Sequence, residues 1–406
     1  MAHSKIQASL AIGWLCGLFL FNVSTTHAVG VEGYTPVNNC GVLVKPYATC
    51  SSSPGVLEKP TDDVGSEAVR FPDRQGWAVF LRSVAPAHQQ AGSIAFLNAP
   101  WKQRRSTFSF ENYWLRDAPE KFEPRDSVQQ HLALAGSKGQ AVEKELARCG
   151  QQAKDVVFFN DTLSRYIRDN DLWYRAGIRQ FFNTGKPLTF PQGSIRLKSS
   201  WVKTNNVKDT GNFITSRDSK FQLWKMVSLH IATKQIPGWT WTTFEHRNNP
   251  CFNKSPKAQD SFGYPYGPQG EYSKELLHMA HSVAGTDARF LQLLEVITNY
   301  RLVGTMTDYV DTTGRPIVLG SSVTEAGTLQ TASCKTCHSR AALNLSVTKP
   351  LGMLNGKGEG FIGSPQWQWF FFEGESGELK QRFIQTDFLW SLPLCAAATD
   401  TSVTEC

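Results

Sequence analysis

Cys334-Lys335-Thr336-Cys337-His338 is the stretch on which the reading of this chain turns. It has the spacing C-x-x-C-H, the attachment signature of a c-type haem. Two thiols separated by two residues can add across the two vinyl groups of one macrocycle, along a single edge. The histidine that follows at once can approach the iron from one face as the proximal ligand. A bare C-x-x-C would also suit a thioredoxin-like dithiol or half of a zinc site. The adjacent histidine, in a chain with no second C-x-x-C, speaks against zinc. The expected cofactor is one covalent haem c, attached at Cys334 and Cys337, with His338 as its metal ligand. Ser333 is a natural N-cap, so the motif predicts a short helix that Arg340-Ala341-Ala342-Leu343 continues.

Working outward, the N-terminus supports that chemistry. Lys5 provides a small positive region, residues 9–22 are apolar, and Thr26-His27-Ala28 ends in a small residue suited to signal peptidase. Residues 1–28 read as a secretory signal peptide, too short and wrongly flanked for a membrane span. No later run approaches 18 uninterrupted apolar residues, so no membrane span is expected in the mature chain. Haem attachment by this motif belongs outside the bacterial cytoplasm, and the expected location is the periplasm. In that oxidising compartment the remaining cysteines are candidates for disulfides. Cys16 leaves with the signal, and Cys40–Cys50, Cys395–Cys406 and Cys149–Cys251 are the simplest pairings, with buried free thiols as the alternative.

The chain has 406 residues, 12 Trp and 25 Phe, and a formal charge of +7. That is ample length for a core around a large flat cofactor. Basic residues are scattered and form no long run, which speaks against nucleic-acid binding. A mild positive field suits an acidic redox partner protein. Residues 29–135 show turn signals and short apolar runs from which no fold follows. Residues 136–406 read as the haem-binding region. Helical spacing is expected over 139–149 and 156–182, strands over 194–204, 221–233 and 239–246, and one long helix over 272–301. The expected class is α+β: a loop-rich mixed body with a cytochrome c-type C-x-x-C-H haem helix near the C-terminus.

Several stretches together resemble an uncharacterised family of exported mono-haem cytochrome c-like proteins. They are IRLKSSWVKT (Ile195 to Thr204), LHIATK (Leu229 to Lys234), WTWTTFEHRNNP (Trp239 to Pro250), LGSSVTEAGTLQTASCKTCHSRAA (Leu319 to Ala342) and QTDFLWSLP (Gln385 to Pro393). The resemblance covers roughly residues 190–393 in patches. It implies a haem-binding, electron-transfer protein and supplies no substrate. The stretch 251–285, with His278 and His281, departs from that pattern.

The chemistry of the iron depends on what faces His338. Methionine there favours electron transfer, histidine lowers the potential, and an open position binds small molecules. Met353 and His230 are the leading candidates for sixth ligand, with Met306 and His246 behind them. His278 and His281 share a helix face but lack a third ligand for a separate metal. Glu245-His246-Arg247 reads more simply as an exposed charged turn than as an acid/base set. Trp239, Trp241, Trp367 and Trp369 are candidates to line the macrocycle. The expected function is one-electron transfer in the periplasm. The alternative is a haem enzyme, a peroxidase or other oxidoreductase, which the chain's size favours, since simple carriers need far fewer residues. A haem-based sensor or binding module is the third possibility.

Overall fold

Alternation along five long strands builds the centre of the molecule. The computed structural model describes residues 63–85, 110–111, 153–172, 174–206, 213–218, 220–249, 260–325, 328–344 and 350–396. The expected signal peptide, the helix over 139–149, and Cys40, Cys50, Cys149, Cys251 and Cys406 lie outside the described residues. Cys395 is described in backbone only.

The chain is mixed α+β. Helices α1 (Asp63–Arg70) and α2 (Pro72–Val84) come first, followed by β1 (Phe110–Glu111) and β2 (Ala153–Asn160). Helices α3 (Asp161–Asp169) and α4 (Arg175–Thr184) then lead to β3 (Ile195–Thr204), β4 (Thr215–Arg217), β5 (Leu223–Thr233) and β6 (Thr240–His246). Helices α5 (Lys274–Ala284) and α6 (Asp287–Asn299) precede β7 (Tyr300–Met306). These strands form one seven-stranded sheet in the order β1-β2-β3-β5-β6-β7, with β4 on β5 and every pairing antiparallel.

Because side chains alternate across a strand, the register assigns each residue to a face. Val156, Phe158, Ile195, Leu197, Leu229, Ile231 and Phe244 share one core with residues of α2, α5 and α6. Phe80 stacks on Phe244 at 4.1 Å, and Trp77 meets the same ring edge-on at 4.8 Å. Each such buried ring is worth roughly 1.5–3 kcal/mol of transfer free energy. Thus α2, from a stretch with no expected fold, closes this side of the sheet.

The expected strands over 194–204, 221–233 and 239–246 match β3, β5 and β6 to within two residues. Two helix expectations need correction. The stretch 156–182 begins as strand, because Val156-Val157-Phe158-Phe159 is a short apolar run rich in strand-forming residues. Asn160 ends it: its side chain accepts from the N–H groups of Leu163 (3.2 Å) and Ile195 (2.9 Å), capping α3 and linking it to β3. The single helix over 272–301 is two helices. Gly285 at φ 72° terminates α5, Thr286 caps α6, and Tyr300 already belongs to β7.

Candidate cofactor site

On the other side of the sheet lies α7 (Cys334–Ser339), which is the C-x-x-C-H motif itself. It is followed by β8 (Ala342–Asn344), so Ala342-Leu343 leave the helix and do not continue it. Strands β9 (Phe371–Glu373) and β10 (Leu379–Gln381) form a hairpin. Strand β11 (Phe383–Gln385) pairs with β8, and α8 (Ser391–Cys395) closes the described chain.

The two residues between the cysteines anchor the helix. Lys335 is 3 % exposed, and its Nζ donates to the carbonyls of Trp239 (3.0 Å) and Thr307 (2.7 Å). Burial lowers the pKa of Lys335 to about 8. Thr336 donates to the Gly363 carbonyl at 2.7 Å and accepts from Ser333 Oγ at 2.9 Å. Ser333 therefore precedes the helix as expected but spends its hydroxyl on Thr336, not on a backbone N–H. The N–H of Cys334 donates to the Leu319 carbonyl at 3.0 Å. Next to that contact a Cβ on Gly320 would lie 2.8 Å from the Ala332 Cβ, so the approach requires glycine. Trp390 donates its indole N–H to the Cys337 carbonyl at 3.0 Å.

His338 is oriented by a backbone carbonyl. Its Nδ1 lies 2.7 Å from Phe388 O, which can only accept, so Nδ1 carries the proton and Nε2 keeps a lone pair. Burial, reinforced by the Arg196 cation, holds this imidazole well below its ordinary pKa, in the neutral form that ligates metals. The carbonyl itself is held by strain and charge. Asp387 and Phe388 adopt positive φ (44° and 68°), a conformation that costs on the order of 1–3 kcal/mol per non-glycine residue. The Asp387 carboxylate is clamped by Lys234 Nζ at 2.7 Å and 2.8 Å and by the Phe190 N–H at 2.7 Å. Trp241 packs its ring 5.1 Å from that of His338 and 5.4 Å from that of Phe388.

Cys334 and Cys337 are free thiols. Burial pushes the Cys334 thiol well above its usual pKa and Cys337 up to about 11. A redox dithiol or a zinc site needs the opposite shift, towards thiolate. Among the described residues no three His, Cys, Asp or Glu side chains gather as a metal cage.

The sheet face towards α7 carries charge. Register places Lys198, His230 and Thr243 in one cross-strand row and Asp155, Ser200, Ser228 and Glu245 in another. Lys198 pairs with Asp155 at 2.8 Å, and Ser200 Oγ donates to the same carboxylate at 2.7 Å. Glu325, from the turn before the motif, accepts from the Ser321 N–H at 2.6 Å and lies 3.9 Å from His230 Nε2. Burial raises the pKa of Glu325 to about 7, and burial also raises that of Glu245.

Glu245-His246-Arg247 is not an exposed turn. Glu245 and His246 are both 0 % exposed within β6. The sheet buries both of its faces here, so alternation hides acid and imidazole alike. Glu245 accepts from the Ser322 N–H (2.7 Å), Ser322 Oγ (2.6 Å) and Asn249 Nδ2 (3.1 Å). His246 points to the other side, stacked on Phe213 at 3.5 Å, which takes it away from the motif.

Of the remaining candidates, His230 lies on the face towards the motif, with Nδ1 3.0 Å from Thr243 Oγ1. Met306 shares the Trp241 row, its Sδ 3.9 Å from Ser333 Oγ. Met353 packs with Cys337, Ala341 and Trp390. His278 and His281 are exposed on α5, with His281 3.7 Å from Asp287. Trp239 and Trp241 are buried beside the motif, Trp369 stacks on the Arg340 guanidinium at 4.2 Å, and Trp367 is 48 % exposed. A cleft of about 600 Å³ opens beside the site, lined by Phe181, Leu188, Tyr309, Ser339, Ile384 and Phe388. That volume is in the range of small-molecule sites.

Two residues of this site escaped the reading of the sequence, Arg196 and Glu325. Ile195-Arg196-Leu197-Lys198 has the alternation of a strand with one wet face, and only the packing of α7 reveals that this face is covered. The chain matches no family model, no curated protein and no solved structure.

Proposed function

We propose that this protein is an exported, periplasmic mono-haem c-type cytochrome that passes single electrons to or from a partner protein. The observation that carries the reading is the state of the C-x-x-C-H triad. Two unpaired, unactivated thiols stand beside an imidazole whose Nδ1 is committed to the Phe388 carbonyl, leaving Nε2 to ligate. Cys334 and Cys337 would hold the macrocycle and His338 its iron. Bound there, haem supplies a one-electron iron couple. The protein's part is to fix the proximal imidazole, through Phe388, Asp387 and Lys234, and to exclude water around it with Trp241 and Trp390. The cleft beside Ser339 and Phe388 gives an outside molecule an approach close to the iron ligand.

The test is production of the full chain in a bacterium that matures exported c-type cytochromes, followed by intact-mass and absorption measurements. One covalent haem per chain with a reducible Soret band is expected. An unmodified, colourless protein overturns the reading.

A haem enzyme is the second reading. The observation in its favour is the titratable cluster His230, Glu325, Glu245 and Asp155–Lys198 on the sheet face towards the motif, which a plain carrier does not require. A low-spin spectrum indifferent to carbon monoxide and peroxide selects the carrier. A high-spin ferric spectrum with rapid carbon monoxide binding by the reduced form selects the enzyme.

A further inference from the structure

Arg196 stands in the wrong company for a guanidinium. Its cross-strand row on the motif side of the sheet runs Phe159, Arg196, Ala232, Trp241 and Met306. It is 8 % exposed, and its Nε is buried without a hydrogen-bond acceptor. Asp155, the carboxylate whose charge reaches it, is already engaged by Lys198 at 2.8 Å and Ser200 at 2.7 Å. No ion pair to Arg196 forms among the described residues. A buried cation whose nearest counter-charge is committed to another group is costly, and an arginine keeps its charge at neutral pH. A feature that expensive calls for an anion absent from the polypeptide itself.

The position says which anion. Arg196 shares its cross-strand row with Ala232, Trp241 and Met306, on the sheet face that α7 covers. Trp241, two strands along the same row, packs on the His338 ring. The missing anion therefore belongs to whatever His338 holds. Haem carries two carboxylates, and a guanidinium fork matches a carboxylate in two parallel hydrogen bonds.

We propose that Arg196 is the carboxylate anchor of the cofactor, pairing with a haem propionate beside the Phe159–Trp241 row. This rests on the reading of the motif as a haem site and adds the residue that orients the macrocycle within it. In the apo chain the same arginine is a destabilising charge, so its two states carry opposite signs.

The test uses the full chain with Cys334→Ala and Cys337→Ala, which leaves haem held without covalent bonds. Ferric protoporphyrin IX and its dimethyl ester, which lacks free carboxylates, are titrated into this background as it refolds from urea, with Arg196 intact and with Arg196→Met. The diacid is expected to lose 10- to 100-fold in affinity on Arg196→Met while the diester changes less than about 2-fold, the scale of a buried charge-assisted pair. Arg196→Lys should restore part of the difference. Thermal melts of the apo proteins provide the second readout, in which Arg196→Met should melt at or above the parent. Equal losses for diacid and diester, or an apo variant that melts well below the parent, would show a structural arginine and overturn the anchor. If native chain matured in cells carries haem while Arg196→Met leaves diacid binding intact, the anchor alone fails. If the native chain carries none and neither porphyrin binds, the haem reading fails with it.

Discussion

The two faces of the central sheet are made by alternate residues of the same strands, yet they are closed in different ways. Towards α2, α5 and α6 the strands present Phe158, Leu197, Leu229, Ile231 and Phe244 to other apolar side chains, and packing alone accounts for the contact. Towards α7 they present Asp155, Arg196, Lys198, His230 and Glu245, and the cover is a six-residue helix with the loops around it. One face follows the rule that burial is apolar. The other breaks it with acids, bases and a lone guanidinium. Since burying charge costs free energy unless it is paired, the second face is where chemistry outweighs stability.

The sharpest break of this comparison is removal of the thiols. Cys334→Ala with Cys337→Ala should abolish covalent haem completely by intact mass while leaving the strand content seen by circular dichroism. On the apolar face, Phe80→Ala should cost about 3–5 kcal/mol in urea unfolding, with the absorption spectrum of the surviving native protein unchanged. Lys234→Met breaks a buried pair that holds the strained Asp387-Phe388 turn. It should cost roughly 3 kcal/mol and, unlike Phe80→Ala, alter the visible spectrum by loosening His338. Glu325 gives a smaller, pH-dependent effect. Its folded pKa of about 7 lies above the ordinary carboxyl value of 4.5, so its favourable contribution is full below about pH 4.5 and is lost as the pH rises through about 7. Glu325→Gln should therefore flatten stability between about pH 4.5 and 7, a change on the order of 3 kcal/mol across that window in denaturant titrations. Smallest of all, His281→Ala, on the exposed face of α5, should shift stability by less than about 0.5 kcal/mol and leave the spectrum alone.

Much of this was legible in the sequence because short-range signals carried it. Alternation in Ile195–Thr204 and Leu223–Thr233 located the strands, and the register C-x-x-C-H supplied the candidate site. The patches around Lys234, Trp239, Leu319 and Asp387 that carried the family resemblance prove to be the residues that grip the motif. Lys234 and Asp387 clamp the turn, while Trp239 and Leu319 lend carbonyls to Lys335 and Cys334. What escaped were the facts of burial. A strand with charged alternate residues looks half-wet, and Glu245, His246 and Arg196 look exposed until a second layer is placed over them. Helix breaks escaped as well, because Gly285 interrupts an otherwise unbroken helical pattern and only its left-handed φ reveals the stop.

Burial of the motif also imposes an order in time. Cys334 is 9 % exposed with its Sγ 3.1 Å from the Leu319 carbonyl, and Lys335 beside it is sealed between two more carbonyls. A thioether bond to that sulfur requires its contact with the Leu319 carbonyl to open first. On the proposed reading the thioether bonds therefore form on an open chain, and the residues from Leu319 to Trp390 shut around the cofactor afterwards. The last step of folding in this protein is then an act of enclosure, and a chain that closes too early is locked out of its own function.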